Sequence, residues 1–182
     1  PFQMFDLAGG DIGWANRKRK AATRDPKERY VEIADRLCER GWFGQKTGRG
    51  FYLYEEGSRI GIEDPEVLDI IAGERSTKGI RAREYSPEEI IRRYIGAMVN
   101  EAAKVLEEKV ARCPSDIDVV QHYGYGFPRY RGGPMKYADM YGIRKIVEDI
   151  EEFSAEDPFF WNPSELLKTM AAQGQTFEDL NQ

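Results

Sequence analysis

The sequence predicts an all-α protein with at most one short strand, and three observations carry that expectation. Helix-start signatures recur: Asp25-Pro26-Lys27-Glu28, Ser86-Pro87-Glu88-Glu89 and Asn162-Pro163-Ser164-Glu165 each join a capping side chain to a proline and an acidic first turn. Apolar residues at spacings of three and four form a wide stripe from Ile90 to Leu106. Strand propensity is confined to Phe51-Tyr52-Leu53-Tyr54, and one strand makes no sheet.

Taken in chain order, the first strong helix runs from Pro26 to Arg40. Tyr30, Val31, Ile33, Ala34, Leu37 and Cys38 form its buried side, and Gly41 ends it. Gly44 to Gly50 reads as a structured loop feeding an extended tail. Glu55 to Tyr85, rich in glycine and charge, reads as a linker holding one short helix at Pro65 to Ala72. Ser86 and Glu89 form a capping box at the start of the long helix. Shorter helices are expected at Pro114 to Tyr123, Pro134 to Tyr141 and Ile143 to Phe153. A last one begins at Asn162-Pro163 and ends at Gly174.

Self-comparison exposes a repeat. Pro1-Phe2-Gln3-Met4-Phe5-Asp6-Leu7-Ala8-Gly9 matches Pro134-Met135-Lys136-Tyr137-Ala138-Asp139-Met140-Tyr141-Gly142 at a displacement of 133 residues. Proline, aspartate and glycine coincide. A long helix, a short helix and a glycine-rich loop precede the second copy, and nothing precedes the first. The expected organisation is therefore the end of a first helical repeat (1–55), a linker (56–85) and a complete second repeat (86–182). The helix that belongs against residues 1–15 is expected to be missing or supplied by another molecule.

Composition excludes several classes. Hydrophobic residues make up 41% and charged residues 32%, the mixture of a globular protein. No apolar run approaches the ~18 residues that span a membrane. The net charge of -5 argues against a nucleic-acid partner. The basic run Arg17-Lys18-Arg19-Lys20, even with Arg129 to Arg131, reads as solvated loop rather than a nucleic-acid site. Cys38 and Cys113 form no CxxC pair, and His122 has no Cys or His beside it, so no metal site is expected. His122 reads as a surface or interface residue, although Asp118 stands four residues before it. Trp14, Trp42 and Trp161 read as packing anchors. Neither Gly44 to Gly50 nor Gly124 to Gly133 has the spacing of a nucleotide-phosphate loop. No nucleophile elbow is present.

Jointly, Met98-Val99-Asn100-Glu101-Ala102, Asp116-Ile117-Asp118, Gly124-Tyr125-Gly126-Phe127-Pro128 and Gly133-Pro134 resemble the C-terminal domain of L-3-hydroxyacyl-CoA dehydrogenases. Phe43-Gly44-Gln45-Lys46-Thr47-Gly48-Arg49-Gly50-Phe51-Tyr52 resembles the ending of that domain's first copy. Two tandem copies are typical of the multifunctional β-oxidation enzymes, which add an enoyl-CoA hydratase/isomerase region and a Rossmann domain. The resemblance implies NAD-dependent oxidation of a 3-hydroxyacyl-CoA by the parent. It places the catalytic His–Glu pair and the NAD site in the Rossmann part, so this chain is expected to hold no catalytic residue, no cofactor and no activity of its own. The family's supporting Asn aligns in the second repeat with Arg92, which marks that repeat as a non-catalytic partner. Phe2 and Met4 fall where the first copy approaches the acyl chain and are the candidate substrate-lining residues. Self-association through residues 1–15 is expected. The ending Asn181-Gln182 is no peroxisomal address, which favours a bacterial cytoplasm. The alternative is a purely structural assembly module without ligand contact.

Overall fold

A computed structural model describes residues 1–181. Among these residues it contains nine α-helices: α1 (Phe2–Ala8), α2 (Gly10–Lys20), α3 (Ile33–Glu39), α4 (Pro65–Thr77), α5 (Pro87–Glu107), α6 (Pro114–Tyr125), α7 (Pro134–Tyr141), α8 (Ile143–Ser154) and α9 (Glu165–Gln173). The chain divides into two compact units, Pro1–Glu84 and a second that begins at Tyr85. The all-α expectation holds. The strand expected at residues 51–54 is β1 (Tyr52–Leu53), and it pairs antiparallel with a second two-residue strand, β2 (Ile62–Glu63).

The second unit is the better-filled one. Ser86 caps α5 by accepting the Glu89 N–H, and Pro87 occupies the first turn. The buried face of α5 carries Ile95, Gly96, Val99, Asn100, Ala102 and Ala103, and the helix packs against α7, α8 and α9. Its partners supply Ala138, Ile146, Ile150, Phe153, Leu167 and Met170, which form one core with Phe177. The polar Asn100 sits inside this packing because both ends of its amide are satisfied. It donates to the Asn162 carbonyl and accepts the Ser164 N–H. Ser164 in turn caps α9.

The first unit has a smaller core of Leu37, Cys38, Tyr54 and Val67. The helix expected from Pro26 begins only at Ile33. Asp25 folds back on the Lys27 N–H, Arg24 stacks on the Tyr30 ring at 3.4 Å, and the Glu32 N–H is taken by the Glu74 carboxylate. These local partners outcompete helical hydrogen bonding at 26–32. Residues 10–20, where no helix was expected, form α2. Residues 56–85, expected as linker, hold β2 and the 13-residue α4, whose N-cap is Asp64. Helix α4 packs on α3, with the buried Glu74 bonded to the Glu32 N–H and paired with Lys78.

The repeat is visible in backbone detail. Gly9 N–H donates to the Phe5 carbonyl at 2.9 Å, and Gly142 N–H to the Ala138 carbonyl at 2.8 Å. Trp42 N–H reaches Leu37 at 3.0 Å past Gly41, and Gln175 N–H reaches Met170 at 3.0 Å past Gly174. Each pair is separated by the same 133 residues, so α1–α2–α3 and α7–α8–α9 are two copies of one motif.

Candidate functional site

The surface that distinguishes the first unit is built around α1. Its anchor is Asp6, the one buried residue of this helix. The carboxylate accepts the Phe51 N–H at 2.9 Å, the Tyr52 N–H at 3.0 Å and the Tyr54 hydroxyl at 2.8 Å. Three donors compensate its burial. Burial, and then the Asp6 carboxylate, push the Tyr54 hydroxyl up to about 12. Gly44 lies so close to the Asp6 backbone that a Cβ would stand 2.2 Å from its carbonyl oxygen, and its φ of +101° is open to glycine alone. This explains why the glycine-rich loop 44–50 is needed: it lets the chain wrap the α1 carboxylate. The loop is structural, with Lys46 pairing Asp11 at 2.5 Å and Arg49 clamping Asp64.

With Asp6 turned inward, α1 presents its apolar residues outward. Phe2 is 49% exposed and Met4 69% exposed, with Phe5, Leu7 and Ile12 forming the rest of an apolar shelf. Phe2 is braced by Phe51, the rings stacked with centroids 4.6 Å apart. Both candidate lining residues are exposed on α1, and Phe2 is held in place by the end of the repeat. A cavity of about 250 Å³ adjoins this shelf, bounded by Phe5, Gly10, Gly13, Arg17, Leu37 and Trp42 among others. Sequence reading did not find this cavity. Its signal is the pair of small residues, Gly10 and Gly13, at helical spacing in α2.

Three of the four cations in the basic run at the end of α2 make intramolecular contacts. Arg17 Nε donates to Asp35 at 2.5 Å, Lys18 stacks over Trp14 at 3.6 Å, and Arg19 bonds Asn16. Burial works against the Arg17 cation, but the Asp35 hydrogen bond and charge outweigh it and hold the guanidinium above its ordinary value.

In the second unit, Arg92 is spent on α8. Its Nη2 reaches Asp149 and Glu152, each at 2.5 Å, and Tyr141 donates to the other Asp149 oxygen. Hydrogen bonds donated to Asp149 and then to Glu152 hold the guanidinium well above its ordinary range. A side chain so clamped through Nε and Nη2 fixes α5 on α8. His122 Nδ1 lies 3.1 Å from the Phe127 carbonyl oxygen. Asp118, the neighbour expected to orient it, instead accepts the Met135 N–H at 2.8 Å and the Lys136 N–H at 3.1 Å, capping α7. Gly133 makes this approach feasible, since a Cβ there would meet Asp118 at 2.3 Å. Burial pushes Asp118 above its ordinary value against those two hydrogen bonds. The 124–133 loop is therefore an inter-helix connection with Phe127 buried and Tyr125 and Tyr130 exposed. Among the described residues no three His, Cys, Asp or Glu side chains are grouped to hold a metal, and no helix is long and apolar enough to cross a membrane.

Comparison with known proteins agrees with this geometry. The family model for the 3-hydroxyacyl-CoA dehydrogenase C-terminal domain matches residues 1–54 and again residues 90–179. The peroxisomal bifunctional enzyme of Danio rerio is 42% identical over 95% of this chain, which covers 26% of that protein. The fatty acid oxidation complex subunit alpha of Shewanella amazonensis is 33% identical over 97% of the chain and 24% of the relative. The dehydrogenase part of multifunctional enzyme 1 from C. elegans superimposes with a TM-score of 0.68 at 25% identity, covering 93% of this chain and 38% of that one. The chain thus spans about a quarter of the length of the curated relatives it matches. Two matched stretches, one per unit, with the same backbone closures in each, place the chain in the 3-hydroxyacyl-CoA dehydrogenase C-terminal domain family.

Proposed function

We propose that this chain serves as the C-terminal helical region of a multifunctional 3-hydroxyacyl-CoA dehydrogenase of fatty-acid β-oxidation. In that parent, a 3-hydroxyacyl-CoA is oxidised to the 3-ketoacyl-CoA with NAD, alongside an enoyl-CoA hydratase/isomerase region. The observation that carries this reading is the double family match on a chain that spans a quarter of its relatives. Relatives with peroxisomal names and relatives named as fatty acid oxidation complexes both match, so the reading covers either setting.

The residues present do not fit a dinucleotide. The two described strands are two residues long, neither glycine-rich loop runs from a strand into a helix, and the single histidine turns to a backbone carbonyl. Neither NAD nor hydride chemistry is therefore assigned to this chain. Its role is to wall the acyl-CoA side of the cleft with Phe2 and Met4 on α1, and to hold the two repeats of the parent together. Calorimetry on residues 1–182 is expected to show no NAD binding, and micromolar affinity would overturn that part of the reading. In the full-length parent, Phe2→Ala with Met4→Ala is expected to alter chain-length preference in kcat/KM.

A second reading, packing without ligand contact, draws on the Phe2–Phe51 stack. Unchanged kinetics with lowered stability in the same double variant would favour it. The exposed shelf of Phe2, Met4, Phe5, Leu7 and Ile12 also supports self-association of the isolated chain, because burying apolar surface yields ~25 cal/mol per Å². Light scattering that shows a monomer at high concentration would count against it.

A further inference from the structure

Helix α4 and helix α5 are each finished by their own local contacts, and a short stretch of chain between them belongs to neither. At the end of α4, Gly79 adopts a φ of +63°, and the Ile80 N–H turns back to the Arg75 carbonyl at 2.8 Å. Lys78 pairs with the buried Glu74 just before that closure. At the start of α5, Ser86 accepts the Glu89 N–H at 3.1 Å, and its carbonyl takes the Ile90 N–H at 3.0 Å. Arg93 stacks on the Tyr85 ring at 5.5 Å, so Tyr85 is already tied to the second unit. What lies between is Arg81-Ala82-Arg83-Glu84. All four residues are exposed, and none is in a helix or strand. This stretch also falls in the gap between the two family matches, residues 1–54 and 90–179.

The other exposed cations outside the α-helices sit on backbone that is held. Lys27 and Arg29 lie where Asp25 takes the Lys27 N–H and its carbonyl takes the Glu28 N–H. Arg59 is in a turn closed by the Ser58 N–H on Glu55 and the Ile60 N–H on the Ser58 hydroxyl. The Lys109 and Val110 N–H groups fold back on Leu106 and Val105, and Arg129 opens a 3-10 turn closed by the Gly132 N–H. An endopeptidase needs its substrate chain extended across the cleft, so these sites must open before they can be cut. Residues 81–84 are already open.

We infer that the Arg81–Ala82 bond is a processing site for an arginine-directed endopeptidase, one with a carboxylate at the base of its specificity pocket, and that the cut leaves two folded pieces. Arg83 offers the same chemistry two residues on. Water adds across the peptide bond: the C–N bond breaks, Arg81 gains a carboxylate and Ala82 an ammonium, with no change of oxidation state. Both new charges form in an exposed stretch, so neither carries a burial cost. The cut also spares both closures. Residues 1–81 keep the Ile80–Arg75 bond that ends α4, and residues 82–182 keep the Ser86 cap, Pro87 and the whole core between α5, α7, α8 and α9.

The test is native digestion of the 182-residue chain with dilute trypsin, followed by mass spectrometry. The first bond cut is expected after Arg81 or Arg83, at least about tenfold faster than after any other Lys or Arg. The purified product that begins at Ala82 or Glu84 should unfold cooperatively in urea. Arg81→Gln with Arg83→Gln, both at exposed positions, should slow the first cut about tenfold without moving the urea midpoint. A glutamate-directed endopeptidase, which ignores both arginines, should cut first after Glu84, and this readout needs no variant. A first tryptic cut among residues 24–32 or 55–61, or Glu55 cut before Glu84, would overturn the site. Degradation of the second piece as fast as it forms would overturn the claim that it folds alone. No outcome depends on dehydrogenase activity, so the reading of the parent stands or falls separately.

Discussion

The motif α1–α2–α3 and the motif α7–α8–α9 share a backbone and differ in their filling. Both stop the first helix at a glycine with positive φ, Gly9 at 93° and Gly142 at 106°. Both use the aspartate of that helix to hold two successive backbone N–H groups of the chain after the third helix. Asp6 takes Phe51 and Tyr52, and Asp139 takes Phe177 and Glu178. Yet α8 buries six residues while α2 buries none. A repeat therefore keeps its hydrogen-bonded joints and varies the surfaces between them. Joints are specified by a few residues with strict geometric requirements, and surfaces by whatever partner covers them.

The largest expected effect tests that division at matched positions. Ile150 is completely buried under α5, and Ile150→Ala should destabilise the second unit by about 2–5 kcal/mol through lost packing and a residual cavity. At the counterpart position, Arg17→Ala in the 182-residue chain should change stability by about 1 kcal/mol or less, since it removes one partly exposed ion pair and a buried unpaired nitrogen. Urea titrations that show equal losses would mean the matching surface of the first unit is already covered in the isolated chain.

The joints should respond differently from the surfaces, and unequally from each other. Asp6 is fully enclosed and serves three donors, so Asp6→Ala leaves two backbone N–H groups and the Tyr54 hydroxyl unpaired. A loss of about 3 kcal/mol follows, read as faster hydrogen exchange at Phe51 and Tyr52. Asp139 is half-buried and the Glu178 N–H it holds is exposed to water, so Asp139→Ala should cost about 1–2 kcal/mol. If the order were reversed, enclosure would not be what sets the strength of these joints.

Much of the fold could be read from the sequence because its helices begin and end on local signals. Ser86 caps where its sequence motif places it, Ser164 caps two residues beyond the start expected at Asn162, and Gly142 and Gly174 stop the helices they were expected to stop. The segment from Pro26 to Glu32 departs from its helical pattern for a physical reason: the Glu74 carboxylate takes the Glu32 N–H, and Arg24 and Asp35 hold the Tyr30 side chain. Helix α2 was invisible because Gly10, Gly13 and its four terminal cations give no apolar stripe. The same lack hid the cavity. Phe2 and Met4 were reached through family resemblance, while Asp6, which aims them outward, was marked only as a repeat match. Its role depends on contacts across more than forty residues of sequence.

The smallest expected effect is on acid stability, and it should split the two units. Asp64 lies below its ordinary value, chiefly through its hydrogen bond from Arg49. Glu74 also lies below its own: burial raises it, but Lys78 and the Glu32 N–H together outweigh burial. Both carboxyls belong to the first unit. A carboxyl that binds its proton less readily when folded contributes stability that is fully present above the unfolded value, about 4, and is lost as pH falls below it. Asp118 of the second unit is displaced the opposite way by burial. Its folded form takes a proton more readily than the unfolded chain does, so lowering the pH relieves a cost instead of removing a contribution. Between about pH 5 and pH 3 the urea midpoint of the first unit should therefore fall more steeply than that of the second. Asp64→Asn should flatten the first slope, and Asp118→Asn should remove the offsetting gain from the second. Identical acid slopes for the two units, unchanged by either substitution, would show that these buried carboxyls do not govern the difference.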